Sequence, residues 1–190
     1  MAGVHHPAGR VSAFSSISAA IPPVNRVRVP QRVPEPPRST HGLRVSCGPV
    51  DLDLVGALPG QGVPMRQLCT GRASNIVATI QGGNQAVLLE TGLASMQLKI
   101  LWPTYEDYMH SRSIALFSNG RPLSRGELAI AVAAEFSVFF ERARREYWSS
   151  EPGSQWDLRG RRAPCLDDLA VVSIHHVAGD VFYAEVFQEL

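Results

Sequence analysis

The sequence predicts an α+β domain: an antiparallel β-sheet built from hairpins, with one long central α-helix packed on one face, preceded by a disordered tail. Three observations lead to this fold class. A helical pattern runs from residue 122 to residue 147, strand-like runs follow one another along the chain, and the first 41 residues are proline-rich and lack a sustained hydrophobic period. The chain therefore divides into a tail, residues 1–41, and a single domain, residues 42–190.

Length and composition allow one core of ordinary size. The chain has 190 residues, 45% of them hydrophobic, and a net charge of +1 at pH 7. The charge is unevenly spread, because residues 1–44 contain six arginines and one glutamate, whereas residues 45–190 contain twelve basic and sixteen acidic side chains. A mildly acidic domain thus follows a basic tail.

The N-terminal tail is predicted to be disordered. Residues 1–41 contain seven prolines and very few aromatic side chains, so they cannot bury enough surface to offset the entropy of ordering the backbone. They are also rich in arginine and serine with a single acid, which is typical of organellar transit peptides. We favour a plain tail in an intracellular protein, cytoplasmic or nuclear. Mitochondrial targeting by residues 1–41 is the alternative.

The first half of the domain shows short strand and helix patterns. Residues 50–55 alternate polar and apolar side chains, as a half-buried strand does, and residues 64–70 favour a short helix. Residues 75–80 and 85–90 are two strand-like runs joined by the pair Gly82–Gly83, a pattern that predicts a β-hairpin.

A stronger strand signal follows. Met96, Leu98, Ile100 and Trp102 recur with period two, and Pro103 then removes a ladder donor and ends the strand. Residues 104–110 are predicted to form one helical turn, residues 113–117 a short strand, and residues 118–122 a turn that leads into the central helix.

The central helix has the most consistent signals in the chain. Ser124 and Glu127 form a capping box, and Leu123 can pack on Leu128 as a hydrophobic staple. Apolar residues then recur at intervals of three and four and build a stripe wide enough to cover a sheet; they are Leu128, Ala131, Val132, Phe136, Phe139, Phe140, Ala143 and Tyr147.

The C-terminal segment is predicted to be a second hairpin, with strands over residues 168–176 and 180–190 joined by the loop Val177-Ala-Gly179. This loop would pair Ile174 with Phe182 and place an apolar face under the helix. The opposite face would be of mixed character. We interpret part of that second face as a protein-contact surface, anchored by Tyr183 and Phe187.

Three segments resemble a family of uncharacterised proteins from basidiomycete fungi. They are residues 98–106 (LKILWPTYE), residues 122–128 (PLSRGEL) with the following Phe139-Phe140-Glu141, and residues 169–175 (LAVVSIH). The resemblance covers about residues 96–187 and consists of core and turn positions. It therefore bears on the fold, and it implies no activity, substrate or cofactor.

The most enzyme-like group of residues lies near the C-terminus. Cys165, His175, His176 and Asp180 include the types that a thiol nucleophile, its base and an orienting group require. No surrounding motif supports this group, and the position of Cys165 beside Pro164 is typical of a small buried side chain, which is the favoured interpretation. The adjacent histidines point to opposite faces of a strand and are poorly placed to share a metal ion, so we predict no metal site.

Two further features have ordinary explanations. Arg159, Arg161 and Arg162 form a possible basic patch, but arginines on a surface loop are usually solvated, so nucleic acid is not the favoured partner. The three cysteines are odd in number and far apart, which fits a reducing compartment. No apolar run approaches the eighteen residues of a membrane-spanning helix.

The favoured interpretation is a non-enzymatic protein-interaction or regulatory module without a cofactor. Its partner would be another protein or a second copy of the chain. The alternative is an enzyme, for example a hydrolase, with a site assembled from scattered polar residues around Cys165 and the pair His175/His176. A deep pocket with converging polar groups would favour the enzyme, and a shallow apolar surface would favour the module.

Overall fold

The computed structural model describes residues 22–31 and 47–190 and confirms the α+β class. Over these ranges the helices are α1 (Met65–Thr70), α2 (Ala73–Thr79) and α3 (Arg125–Glu146). The strands are β1 (Arg26–Arg28), β2 (Val50–Asp51), β3 (Val63–Pro64), β4 (Ser95–Ile100), β5 (His110–Ala115), β6 (Phe117–Ser118), β7 (Arg121–Pro122), β8 (Leu169–Ala178) and β9 (Val181–Glu189).

Seven strands form one sheet in the order β2-β8-β9-β4-β5, with β3 also paired to β8 and β1 to β9. The pairs are antiparallel except β4–β9, where Leu98 lies opposite Phe182 in a parallel arrangement. The sheet is therefore mixed and not purely antiparallel. Strands β6 and β7 form a separate hairpin whose turn residues, Asn119 and Gly120, both have positive φ, as a type I′ turn requires.

Helix α3 covers one face of the sheet and begins where its sequence signals indicate. The Ser124 Oγ accepts the N–H of Glu127, and the Glu127 Oε2 accepts the N–H of Ser124 at 2.9 Å, which completes the capping box. Hydrogen bonds from Arg121, and then from the Ser124 backbone, lower the pKa of Glu127 to about 2. The buried side of α3 includes Leu128, Val132, Phe136, Phe139 and Phe140, so the predicted stripe is confirmed.

Ser124→Ala should lower the free energy of unfolding by about 0.5–2 kcal/mol, because the variant leaves a backbone N–H of the first turn without its side-chain acceptor. Urea denaturation measures this change. Ser111→Ala is the control, since Ser111 is exposed on β5 and its substitution should stay within about 0.5 kcal/mol. Equal stabilities of the two variants would show that the cap contributes nothing to folding.

The predicted hairpin over residues 75–90 is wrong. Residues 73–79 form α2, and residues 85–90 contribute an isolated bridge between Ala86 and Ser124 and the start of the 3₁₀ turn Leu89–Thr91. The β-branched residues Ile76 and Val77 favour a strand locally, but both are buried, and Val77 packs against α3 at Gly126. Tertiary packing thus overrides local propensity. The helical turn predicted over residues 104–110 is also absent, and hydrogen-bonded turns take its place.

Part of the predicted tail belongs to the domain. Strand β1 pairs with β9, the N–H of Val29 donates to Val186 O at 2.9 Å, and the Gln31 side chain donates to Ala184 O at 2.6 Å. The prediction of disorder is therefore wrong for residues 22–31, because this short extended run pairs with the open edge of β9. Residues 1–21 and 32–46 lie outside the described part of the chain.

The C-terminal hairpin is confirmed, but its register differs from the prediction. Ala178 pairs with Val181 and Ile174 with Ala184, so the loop has two residues instead of three. Gly179 alone in this turn has positive φ, the pattern of a type II′ turn. A bulge between Val171 and Ser173 then inverts the alternation of β8, and Val171 instead of Val172 joins the core beneath α3.

Candidate functional site

The structure does not bring the predicted thiol-hydrolase residues together. Cys165 precedes β8, which begins at Leu169, whereas His175 lies six residues further along that strand. At 3.3 Å per residue, the strand carries the chain roughly 20 Å from Leu169 to His175. Burial, followed by the Asp168 carboxylate, raises the pKa of the Cys165 thiol. A nucleophilic cysteine needs a lowered pKa, so this environment works against the predicted role.

The other two members of the group are occupied near the hairpin turn. His176 hydrogen-bonds through Nε2 to Gly179 O at 2.9 Å, and its ring packs against Phe182. Asp180 is an exposed turn residue. Both residues lie at the end of β8 opposite to Cys165, so the group of residues that suggested an enzyme is not assembled.

The predicted contact surface at Tyr183 and Phe187 is contradicted by burial. These side chains are 1% and 0% exposed, so neither can anchor a partner on the folded domain. Arg28 lies over the Phe187 ring, and Leu101, Val177 and Val181 pack around Tyr183. The sheet face that carries Tyr183 and Phe187, which the sequence predicts to be accessible, is thus buried at these two residues.

A polar network lies on the same interior face. The Ser173 Oγ is 2.8 Å from the His175 Nε2 and donates to the Glu185 Oε2 at 3.0 Å, while the Arg28 Nε lies 2.7 Å from the Glu185 Oε1. A catalytic triad needs its carboxylate at the histidine nitrogen away from the serine. Here the Glu185 Oε2 lies 3.7 Å from the Nε2, the nitrogen that also faces Ser173. The network therefore satisfies buried polar groups and does not have triad geometry.

The predicted basic patch is a loop feature. The Arg159 guanidinium stacks 4.1 Å from the ring centroid of Trp148, which is highly exposed, and Arg161 and Arg162 are exposed. In the same loop Asp157 is buried and accepts backbone N–H groups from Gly153 and Arg159, which lower its pKa. Asp157 thus stabilises the conformation of this loop through hydrogen bonds to the loop's own backbone.

A second buried histidine joins β5 to α3. The His110 Nε2 lies 3.1 Å from the Glu135 Oε2, and its Nδ1 lies 3.3 Å from the Tyr108 hydroxyl. Burial raises the pKa of Tyr108, which keeps its phenol protonated and able to donate. The ring of Tyr108 in turn stacks on Tyr147, centroids 3.9 Å apart. These contacts hold the first half of β5 rigidly against α3.

Strand β5 is an edge of the sheet, and its outward backbone groups can be identified. The N–H of Gln97 in β4 donates towards β9, to Asp180 O, whereas the N–H of Leu116 just after β5 donates to Ala94 O before β4. In a strand, the backbone N–H and C=O groups of successive residues point to opposite sides. Gln97 therefore faces β9, its even-numbered neighbours in β4 face β5, and the register pairs them with the even-numbered residues of β5. The N–H and C=O groups of Ser111, Ser113 and Ala115 therefore point away from the sheet.

These outward groups are accessible. Ser111, Ser113 and Ala115 are all exposed, and no backbone hydrogen bond joins them to anything outside the β4–β5 ladder within residues 22–31 and 47–190. Edge strands of this kind are ready templates for another strand. Two large apolar side chains flank β5, since Met109 is 49% exposed and Phe117 is 47% exposed.

Helix α3 forms the side wall beside this edge. Glu135, which contacts His110, lies on the same helical surface as Ala131 and Val138, one turn away on either side, and Arg142 lies two turns further along the helix. Val138 is an exposed apolar residue of α3. Arg112 on β5 is half exposed, and its Nε lies 4.0 Å from the Glu135 Oε2. We call this region, from the outer edge of β5 to these residues of α3, the β5–α3 groove.

No protein-family model, curated protein or solved structure matches the chain. The resemblance of residues 96–187 to uncharacterised basidiomycete proteins stays a prediction. Among the helices in the described ranges, none is long and apolar enough to cross a membrane.

Sequence reasoning missed both the His110–Glu135 pair and the outer edge of β5, which carries no further strand among residues 22–31 and 47–190. The pair joins residues 25 positions apart, and neither residue stands in a motif. A partial signal was present, because residues 110–113 (His-Ser-Arg-Ser) are a polar run at the start of a strand, which is typical of an edge. The free direction of β5, however, depends on the order of the strands, which local pattern does not contain.

Proposed function

We propose that this protein is an interaction module that binds an extended segment of another protein as an additional strand on the outer edge of β5. The observation that carries the proposal is the set of outward N–H and C=O groups of Ser111, Ser113 and Ala115 beside α3. Main-chain hydrogen bonds to such an edge supply affinity, and alternate side chains of the added strand supply specificity.

The β5–α3 groove favours a segment that carries both apolar and acidic residues on the side that faces α3. Side chains on the helix side of an added strand would meet Val138 and Ala131 of α3, which are apolar. Arg112 is the arginine of β5, and its side chain is 51% exposed, so an opposing carboxylate would be stabilised. We therefore infer an acidic, extended peptide as the ligand.

The site is preformed, which lowers the entropic cost of binding. His110, Tyr108 and Tyr147 hold β5 against the C-terminal half of α3, and β4 holds it along its full length. Binding would thus cost the conformational entropy of the ligand strand but not that of β5.

Self-pairing of β5 is the competing use of this edge. The outward groups belong to odd-numbered residues, so a two-fold antiparallel pair must place odd residues opposite odd residues and even opposite even. The arrangement centred on Arg112 then sets two guanidinium groups directly opposite each other, which is destabilising. Registers centred on Ser111 or Ser113 place Arg112 opposite His110 or Ile114 and avoid this repulsion, so a second copy stays an outcome of the binding test.

Ser113→Pro is the sharpest test of the proposal. Because the Ser113 N–H points away from β4, proline removes an outward donor without removing a ladder hydrogen bond of the domain, and proline is tolerated at such edge positions. We would select binders from a library of random ten-residue peptides on the full-length protein and measure their affinities by fluorescence anisotropy. Ser113→Pro should weaken the selected peptides by roughly tenfold or more.

Ser113→Ala is the matched control, since it keeps the N–H and should change affinity by less than about threefold. Selected peptides should carry acidic residues and lose affinity as salt is raised. Equal weakening by both variants, or selection of peptides whose binding neither variant affects, would contradict the proposal. Dimerisation of the wild type that Ser113→Pro abolishes would identify the second copy as the partner instead.

A further inference from the structure

The outer edge of β5 has a basic residue on each face of the sheet, at neighbouring register positions. Arg112 of β5 lies on the face that α3 covers, since its Nε is 4.0 Å from the Glu135 Oε2. Lys99 of β4 lies on the opposite face, directly across the ladder from Ser111. Because Ser111 and Arg112 are consecutive residues, the two cations flank one short stretch of the edge.

Lys99 is the only lysine in the chain, and its ammonium group is available to a ligand. Its side chain is half-buried, and within residues 22–31 and 47–190 no acid forms a salt bridge with it. An ammonium group without an acidic partner stays in water, while its apolar stem lies along the sheet. Continuing the β4–β9 register by one residue places the buried Tyr183 on one side of Lys99, whereas the exposed Ser111 lies on the other. The ammonium group therefore reaches water across Ser111, towards the outer edge of β5.

A strand added to β5 brings carboxylates within reach of both cations. Neighbouring strands lie about 4.8 Å apart, so the backbone of Lys99 and that of an added strand are roughly 10 Å apart. A lysine and a glutamate side chain that extend towards each other span this distance, and the short Ser111 side chain does not obstruct them. Arg112 is on β5 itself and is 51% exposed, so an opposing side chain is its direct neighbour. The Glu135 carboxylate beside Arg112 is shared with His110 at 3.1 Å, which leaves the guanidinium group able to bind a second acid.

We propose that the segment bound at β5 is recognised through two consecutive acidic residues, one for each cation. Consecutive side chains of a strand point to opposite faces, so one carboxylate meets Arg112 and the next meets Lys99, whether the added strand is parallel or antiparallel. Recognition of this kind depends on the proposed strand addition and gives it sequence specificity. Strand β5 (HSRSIA) contains no acid, so a second copy of β5 cannot supply the pair.

The test uses the ten-residue peptides selected on the full-length protein, restricted to those that Ser113→Pro weakens. These peptides should contain two consecutive acidic residues. Lys99→Gln and Arg112→Gln should each weaken their binding by roughly twofold to fivefold in fluorescence anisotropy at low salt, which is the range of exposed ion pairs. Arg72→Gln is the matched control, because Arg72 is an exposed arginine that precedes α2, outside the β5–α3 groove. It removes the same charge and should leave the affinity nearly unchanged.

Peptide variants assign each acid to its cation. Replacing one acid by glutamine should abolish the effect of Lys99→Gln and keep that of Arg112→Gln, and replacing the other acid should do the reverse. Two results would overturn the acidic-pair proposal and leave strand addition intact: peptides that Ser113→Pro weakens but that lack consecutive acids, or equal effects of Lys99→Gln and Arg72→Gln. A library without any peptide that Ser113→Pro weakens would instead contradict strand addition, and recognition of the acidic pair would be contradicted with it.

Discussion

Arg28→Met should lower the free energy of unfolding by about 3–5 kcal/mol, which would be among the largest effects of any single substitution in this protein. The Arg28 Nε lies 2.7 Å from the Glu185 Oε1, and the Glu185 side chain is 1% exposed. Removing the cation leaves a carboxylate in the interior, where the loss of one partner costs more than the pair itself contributes. Chemical denaturation followed by circular dichroism measures the change.

Arg26→Met is the matched control on the same strand. Arg26 also faces a glutamate, Glu189, at 2.8 Å, but that carboxylate is about half exposed. Water can solvate it after the substitution, so the cost should be about 1 kcal/mol or less. If Arg28→Met is no more destabilising than Arg26→Met, β1 does not stabilise the interior charge, and its place in the domain is in doubt.

Gly83→Ala should destabilise the domain by about 3 kcal/mol or more, at the upper end of overpacking effects. A Cβ atom on Gly83 would lie 1.9 Å from Val77 O and 3.0 Å from Ile80 O. Both are backbone atoms of the α2 region, so relief requires movement of the main chain and not of a side chain. The Gly83 C=O also accepts the N–H of Gly126 in α3, so this movement would disturb the α2–α3 contact.

Gly48→Ala is the control for the glycine substitution. No atom lies within 4 Å of a Cβ built at Gly48, and its φ is not in the left-handed region. Its substitution should therefore be neutral or slightly stabilising, by at most about 1 kcal/mol. Thermal melts of both variants measure this difference in stability. Similar melting temperatures would mean that the chain does not pass as closely over α2 as the structure indicates.

The parts of the fold that could be predicted are those whose signals are local. Helix α3 has 22 residues, and its capping box, hydrophobic staple and apolar stripe all lie in one continuous segment. Its N-cap at Ser124 can therefore be predicted from the sequence. Strand β4 likewise follows from alternation that ends at a proline. In both elements the pattern and the tertiary environment favour the same structure.

The rest depends on contacts between distant segments. Helix α2 contains β-branched residues that favour a strand, and only packing on Gly126 selects the helix. Strand β1 lies in a proline-rich run and is stabilised by β9, more than 150 residues later. The candidate site depends on such contacts as well, because the free direction of β5 is set by which strand occupies its other side.

The burial of Tyr183 and Phe187 shows how a distant segment changes a functional inference. Strict alternation predicts that Tyr183 and Phe187 share a face of mixed character that is open to a partner. In the structure that face carries the buried network of Ser173, His175 and Glu185, and Arg28 of β1 contacts it. The accessible edge lies instead on β5, two strands away from β9.

Amide hydrogen exchange at β5 tests the central claim most directly, because it reports each backbone N–H separately. In the free protein the N–H groups of Ser111, Ser113 and Ala115 should exchange quickly, while those of Arg112 and Ile114 are protected by β4. A saturating selected peptide should protect the three odd-numbered amides and change the even-numbered ones little. If the bound peptide leaves Ser111, Ser113 and Ala115 unprotected, it does not bind as an added strand, and the proposed function is contradicted.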